Sequence, residues 1–220
     1  MPKKSLTFLI TSGSTKEYID PVRFISNDSS GKTGAALAKA ALDRKNKVIF
    51  IIGKSEIMPP SGAKIIKIIS AADMFKAVKK NLDKADIVIG AAAVADFAPV
   101  SYKNQKIKKG HKTPVIKLKK NPDIIAYCGK NKKNQIVAGF ALETEDLLVN
   151  AVKKLRSKKL DLIIANGRGS IGSDKTSVHI IRSGGSGIHI KNSDKNKIAG
   201  KIIDETLRIF TDNKAGKKIS

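Results

Sequence analysis

Six short runs of apolar, largely β-branched residues punctuate this chain, and no other feature restricts its folding as much. They lie at residues 7–11, 47–52, 64–69, 86–94, 136–140 and 161–165. Several are apolar on both faces, as a strand covered on both sides of a parallel sheet must be. Between them the period lengthens to that of a helix. Residues 34–44 set Leu37, Ala38, Ala41 and Leu42 on one side. Residues 70–82 open with Ser70 and Asp73 at capping-box spacing. Residues 144–159 carry Leu148, Ala151, Val152 and Leu155 as an apolar stripe. Alternation of this kind predicts an α/β fold built on a doubly wound, mainly parallel sheet with right-handed crossovers.

Two regions leave that rhythm. Residues 95–120 lack helical periodicity and hold a dense run of lysines between Lys103 and Lys120. Residues 175–191 read as a hairpin of strands 178–181 and 188–190, turned at Ser183-Gly-Gly-Ser-Gly. A last helix is predicted over 194–210. The expected organisation is one domain over 1–212 and a polar tail over 213–220.

Composition excludes several classes. The longest apolar run, 87–95, has nine residues, against the roughly 20 that a spanning helix needs, so no membrane association is expected. One cysteine, Cys128, rules out an internal disulfide framework and any multi-cysteine zinc site. A reducing, cytoplasmic setting is expected. The formal charge of +24 invites a nucleic-acid reading. However, 37 of the 43 basic residues are Lys and six are Arg, and they are spread along the whole chain. Arg is the better fork for phosphates and base edges, and ten aromatics without Trp offer few stacking platforms. The charge reads first as a lysine-biased solvated surface, with an anionic small-molecule site or polyanion binding as the alternatives, and no specific nucleic-acid partner is expected.

The chemistry-bearing motifs cluster at strand ends. The first strand runs into Thr11-Ser-Gly-Ser-Thr, and Asn27-Asp-Ser-Ser-Gly-Lys-Thr-Gly opens the first helix. In α/β sheets ligands gather at the carboxyl ends of strands, and helix N-termini offer free N–H groups to anions. A P-loop is excluded, because Ser26 stands where its first glycine belongs. A dinucleotide fingerprint is excluded too, because Ser12 and Ser14 flank a single Gly13. In Asp20-Pro-Val-Arg-Phe-Ile-Ser-Asn, Arg23 is a bidentate donor for phosphate or carboxylate. Asn27 is a neutral donor suited to an oxygen that gains charge during attack, or else an internal bond of the loop. Gly90-Ala-Ala-Ala-Val-Ala-Asp96 admits close approach by a helix or a ligand and ends on a carboxylate. Gln105-Lys-Ile-Lys-Lys reads either as a loop able to close over a polyphosphate or as a solvated charged loop. Asn121-Pro-Asp-Ile fits a helix start, with Asn121 as cap and Pro122 in the first position. Lys154 and Lys158 share one helix edge, where a triphosphate or the helix dipole would favour them. His111, His179 and His189 show neither ligand nor triad spacing, and Cys128 reads as a packed thiol.

Seven of these segments occur together in the order and spacing of one family. They are Ile10-Thr-Ser-Gly-Ser-Thr, Ile19-Asp-Pro-Val-Arg-Phe-Ile-Ser-Asn-Asp-Ser-Ser-Gly-Lys-Thr-Gly, Ala91-Ala-Ala-Val-Ala-Asp-Phe, Lys106-Ile-Lys-Lys, Lys119-Lys-Asn-Pro-Asp-Ile, Gly139-Phe-Ala-Leu-Glu-Thr and Leu160-Asp-Leu-Ile-Ile-Ala-Asn. Over residues 5–210 the chain resembles phosphopantothenate–cysteine ligase, also called phosphopantothenoylcysteine synthetase. The resemblance implies a Rossmann-like α/β sheet with an additional β-hairpin element, and a homodimer. It implies an enzyme of coenzyme A biosynthesis that joins 4′-phosphopantothenate to L-cysteine with CTP as co-substrate and Mg²⁺. The acid would attack the nucleotide α-phosphate, releasing pyrophosphate, and cysteine would then displace CMP from the acyl-cytidylate.

By resemblance Asp96, Lys106, Asn121, Pro122, Asp123, Ile124, Phe140, Lys154 and Lys158 match the nucleotide site. Asn27 and Lys106 match the catalytic residues, and Arg23, Asn27, Ala91 and Ala92 match the substrate positions. No residue is assigned to a metal. The chain departs from the family at Ser14 (usually glycine), Tyr18 (usually proline), Thr33 (commonly methionine), Leu142 (usually alanine) and Asn166-Gly-Arg-Gly. Many bacterial relatives carry a flavin-dependent decarboxylase ahead of this segment, so a stand-alone ligase is expected. Against a nicotinamide oxidoreductase, the alternative for such a sheet, stand the missing glycine fingerprint and the lack of a helical Tyr-x-x-x-Lys pair. The spacing occurs only at Tyr102 and Lys106, in a loop.

Overall fold

The computed structural model describes residues 5–109, 114–143, 145–167 and 175–216. His111, the expected helix start at Thr144, and residues 217–220 of the expected tail lie outside the described residues. In chain order the elements are β1 (Thr7–Ser12), β2 (Glu17–Tyr18), β3 (Phe24–Ile25), α1 (Lys32–Asp43), β4 (Lys47–Ile52), β5 (Lys64–Lys67) and α2 (Ala71–Asn81). They continue with β6 (Ile87–Gly90), β7 (Phe97–Pro99), β8 (Leu118–Lys120), α3 (Ile124–Asn131), β9 (Ile136–Glu143) and α4 (Leu147–Ser157). The last are β10 (Leu162–Gly167), β11 (Lys175–Arg182), β12 (Gly187–Asp194) and α5 (Lys195–Lys214).

The main sheet has eight strands in the order β12-β11-β10-β9-β6-β1-β4-β5. From β5 to β10 every pairing is parallel. Those six strands stand in the spatial order 3-2-1-4-5-6 of a doubly wound fold, so the predicted architecture is the one observed. The predicted hairpin is β11–β12, longer than expected and joined antiparallel to β10. Strand alternation divides the core in two. Phe8, Ile10, Phe50 and Ile89 face one side, closed by α1 and α5. Leu9, Ile51, Val88 and Val137 face the other, closed by α2, α3 and α4.

Some boundaries differ from the sequence reading, each for a local reason. β6 ends at Gly90 rather than at residue 94, because the next residues bond to the end of β1: Ala91 N–H to Thr11 O and Ala93 N–H to Gly13 O. Two small antiparallel ribbons, β2–β3 and β7–β8, stand outside the main sheet, the second within the stretch read as irregular. The α3 cap is Asp123, whose Oδ1 accepts the Ala126 N–H at 3.0 Å, so Asn121 and Pro122 precede the helix instead of starting it. On α4, Ala151 and Leu155 are buried but Leu148 is 46% exposed, so the stripe turns towards Leu147. The final helix runs on to Lys214, past the expected start of the tail at 213.

Candidate active site

The strand order reverses between β1 and β6, and the chain leaves both strands there through loops laced to each other. Gly13 adopts φ +72°, and a Cβ on it would lie 2.4 Å from the Lys54 carbonyl oxygen, so only glycine lets the backbone cross here. Beyond it, the Ala92 N–H donates to Thr11 Oγ1 at 3.3 Å and the Ala95 N–H to Thr15 Oγ1 at 3.1 Å. Ser14 is buried, and its hydroxyl accepts a hydrogen bond from Ser26 Oγ at 3.2 Å. The Ser14 hydroxyl is therefore paired within the loop despite its burial.

A cavity of about 250 Å³ opens beside these loops. Its lining includes Ala92, Asp96, Asn121, Pro122, Asp123, Ile124, Phe140 and Lys158, residues that arrive from four separate stretches of chain. Asn121 is fixed to the β6 loop twice, its backbone N–H donating to Asp96 O at 2.8 Å and its Nδ2 to Ala95 O at 2.9 Å. Asp123 Oδ2 lies 2.9 Å from Lys158 Nζ. Burial would raise the Asp123 pKa. The Ala126 N–H bond and the Lys158 ammonium outweigh it, and the carboxyl sits below its ordinary 3.8. Lys158 reaches this position because α3 and the end of α4 nearly touch: a Cβ on Gly129 would lie 2.0 Å from the Lys158 carbonyl oxygen. Cys128 also lines the cavity. Burial, and then the Asp123 charge, push its thiol up to about 12. It is a packed, unreactive thiol, as the sequence suggested.

A second cavity, of about 440 Å³, adjoins the first and shares Ala92 and Phe140 with it. Its walls are the start of α1 (Ser29, Ser30, Gly31, Lys32), the small residues Ala91 and Ala93, and Leu142, Asn166 and Lys195. Leu142, one of the departures from the family, is 46% exposed at its edge. Glu56 also lines it, held there by its N–H bond to Ser30 O. Sequence reading missed Glu56 and Lys195, which carry no local signal of function. Asn166 was noted only as part of an unusual stretch, although its place at the end of β10 is the kind of position where ligand groups gather.

Four assigned residues stand apart from these linings. Asn27 is exposed and donates from Nδ2 to Val94 O at 3.0 Å, and Val94 lines the first cavity. Arg23 binds Asp20 and the Ile107 carbonyl instead of pointing free into the crevice. Lys106 is exposed on the segment that Arg23 contacts, and neither it nor Lys154 lines either cavity. Among the described residues no three His, Cys, Asp or Glu side chains gather to hold a metal. Among them, too, no helix is long and apolar enough to cross a membrane.

Over residues 4–209 the chain matches the family described as the DNA/pantothenate metabolism flavoprotein C-terminal domain. It is 47% identical over 181 residues to the coenzyme A biosynthesis bifunctional protein CoaBC of Borreliella burgdorferi, covering 81% of this chain and 46% of that protein. Identity to the CoaBC protein of Bacillus subtilis is also 47%, over 166 residues, covering 75% of this chain and 41% of the relative. The crystal structure of the C-terminal domain of a CoaBC protein superimposes with a TM-score of 0.83 at 33% identity, covering 95% of this chain and 97% of that one. The chain thus spans under half the length of the two curated relatives.

Proposed function

From the premise that the chain belongs to the family of the DNA/pantothenate metabolism flavoprotein C-terminal domain, we propose that it is a ligase joining 4′-phosphopantothenate to L-cysteine in coenzyme A biosynthesis. The CoaBC relatives of Borreliella burgdorferi and Bacillus subtilis are named for that pathway. One observation carries the reading to a mechanism. Two cavities meet at Ala92 and Phe140 over the carboxyl ends of the central strands, one beside Lys158 and the other beside the start of α1. That arrangement suits a nucleotide and an acid substrate whose reacting ends must touch.

In this reading CTP occupies the first cavity, against Asp96, Asn121, Pro122, Asp123, Ile124 and Phe140, with its phosphates towards Lys158, Lys154 and Lys106. The acid lies along Ala91 and Ala92, with Arg23 near it. A carboxylate oxygen attacks the α-phosphorus, the bond to the β-phosphate breaks, and pyrophosphate leaves with its electron pair. The chain's task in such a transfer is positioning and charge neutralisation, and Lys106 supplies positive charge at the α-phosphate. The cysteine ammonium gives up a proton to solvent, the resulting neutral amine attacks the acyl carbon, and a second nitrogen proton passes to solvent as the amide forms. The Asn27 amide donates to the oxyanion, and CMP departs as the C–O bond breaks. Removing one such donor typically lowers the rate by about 10²–10³. The exposed carboxylate of Asp96 at the rim of the first cavity would be the side chain available to a magnesium ion, which would neutralise phosphate charge there.

The reading includes a homodimer. In support, Phe97 and Leu118 share one face of the β7–β8 ribbon, and each is 46% exposed.

The test is a pyrophosphate-release assay with each of the four ribonucleotides, with and without the acid and cysteine. Release is expected only with nucleotide, Mg²⁺ and 4′-phosphopantothenate together, most strongly with CTP. One turnover should persist without cysteine, and multiple turnovers should need it. Release that ignores the acid would overturn the mechanism.

A further inference from the structure

The segment that carries Lys106 is held neither by the sheet nor by a helix. It is tied to the turn between β2 and β3. The Lys103 N–H donates to Ile19 O at 2.9 Å. Four residues on, both backbone groups of Ile107 are taken: its N–H donates to Asp20 Oδ2 at 3.1 Å, and its C=O accepts from Arg23 Nη2 at 3.0 Å. The Arg23 Nη1 donates to the same Asp20 oxygen at 2.7 Å. The other oxygen, Oδ1, accepts the N–H groups of Val22 and Arg23, each at 2.8 Å. The Asp20 side chain has no exposed surface. Four donors converge on it, three from its own turn and one, the Ile107 N–H, from the distant segment. A carboxylate bonded in this way has no proton to exchange with a substrate, so its role is to hold.

We propose that Asp20 is a positioning residue for Lys106, acting with Arg23 as a clasp on the N–H and C=O of Ile107. The inference rests on the ligase reading, in which Lys106 must sit at the α-phosphate. Charge-assisted bonds of this kind are short and directional. Two of them on one residue fix the backbone immediately after Lys106, leaving only the lysine side chain to choose its rotamer. The clasp also explains why Arg23 does not stand free in the crevice: its guanidinium joins the turn leading to Asn27 to the segment bearing Lys106. One ion pair thereby sets the spacing of the two residues assigned to the chemistry. The carboxyl is held below its ordinary 3.8. Burial, which would raise it, is outweighed by the Val22, Arg23 and Ile107 N–H groups and the Arg23 charge, so the clasp stays ionised at neutral pH.

Asp20→Asn tests this, because an amide oxygen left on the Val22 and Arg23 N–H groups keeps the turn while its –NH₂ faces two donors. Three quantities are compared with the wild type: hydrogen exchange at the Ile107 N–H, tryptic cleavage after Lys106, and pyrophosphate-release kinetics. Exchange at Ile107 should quicken at least about tenfold while β1 amides stay protected, and cleavage after Lys106 should quicken with it. The value of kcat should fall about 10–100-fold with the nucleotide KM within about threefold, as for a misplaced reacting group. Arg23→Lys, which keeps the charge but loses the fork, should give a smaller change in the same direction and serves if the first variant does not fold. Unchanged Ile107 exchange in both variants would overturn the clasp. Faster exchange with unchanged kcat would overturn the positioning role. A wild type that releases no pyrophosphate would overturn the ligase reading instead, while the exchange and cleavage measurements would still decide the clasp.

Discussion

Asp123 serves a helix and a cavity with different oxygens. Oδ1 caps α3, and Oδ2 holds Lys158. Asp123→Ala removes both contacts. Loss of a cap typically costs about 1 kcal/mol, which in a chain of this size lowers the melting temperature by about 2–4 °C. Asp123→Asn keeps a capping oxygen and loses only the charge, so calorimetry should show a smaller drop. The sign of the pH effect follows from the direction of the shift. The folded carboxyl lies below 3.8, so its contribution is full above that value and is lost as the pH falls through the folded pKa. The gap between wild type and Asp123→Asn should therefore be open at about pH 6 and close at about pH 2. A gap that widens with acid would contradict the assignment. At this scale the residue types were legible in the sequence and their partners were not. The sequence reading set Asn121 as the cap, with Pro122 in the first helical position. The structure gives the cap to Asp123 and turns the Asn121 amide to the Ala95 carbonyl. That carbonyl is a partner from a separate stretch of chain.

Among elements, α3 and α4 show where propensity and packing disagree. In an exposed helix interior, replacing glycine by alanine stabilises by about 1 kcal/mol. At Gly129 the new methyl would meet the Lys158 carbonyl at 2.0 Å, and that atom is backbone. Overpacking of this kind costs about 1–3 kcal/mol. Gly129→Ala should therefore lower the denaturant midpoint and weaken nucleotide binding, because α3 and the end of α4 together wall the first cavity. Gly167→Ala is the control: no described residue lies within 4 Å of its Cβ position, and the midpoint should hold. A stabilised Gly129→Ala would mean that the two helices pack less closely than described. Elements whose signals are local were legible. The capping box of α2 forms as read, with Ser70 Oγ accepting the Asp73 N–H at 3.2 Å and Asp73 Oδ2 the Ser70 N–H at 3.0 Å. The β7–β8 ribbon was not legible. Its strands have three residues each and pair across eighteen intervening ones, with lysine on both faces of β8, so no periodicity reports them.

For the whole molecule, the proposed homodimer requires a surface that a second copy could cover. Glutamate in place of Phe97 and Leu118, on the ribbon face that also carries Lys120, would remove the exposed apolar surface available for association there. Phe97→Glu with Leu118→Glu should convert a dimer to a monomer in sedimentation, with the far-ultraviolet spectrum unchanged. A dimer that survives both substitutions would place the interface elsewhere.

The main sheet was settled by the sequence itself. Its central strands are buried on both faces and its helices on one, and those periods are written residue by residue into the chain. The same holds for most of the motifs that mark the family, which lie where a strand ends or a helix begins, while Lys106-Ile-Lys-Lys lies in a loop. What only the tertiary structure decided is which side chains meet. Gly129 lets Lys158 reach Asp123, Ala92 and Phe140 become the shared wall of two cavities, and a buried aspartate grips a segment whose nearest bonded residue lies 87 positions along the chain. Hydrogen bonds and close packing act over a few ångströms, and a linear sequence carries no record of that distance until the sheet has brought its ends together.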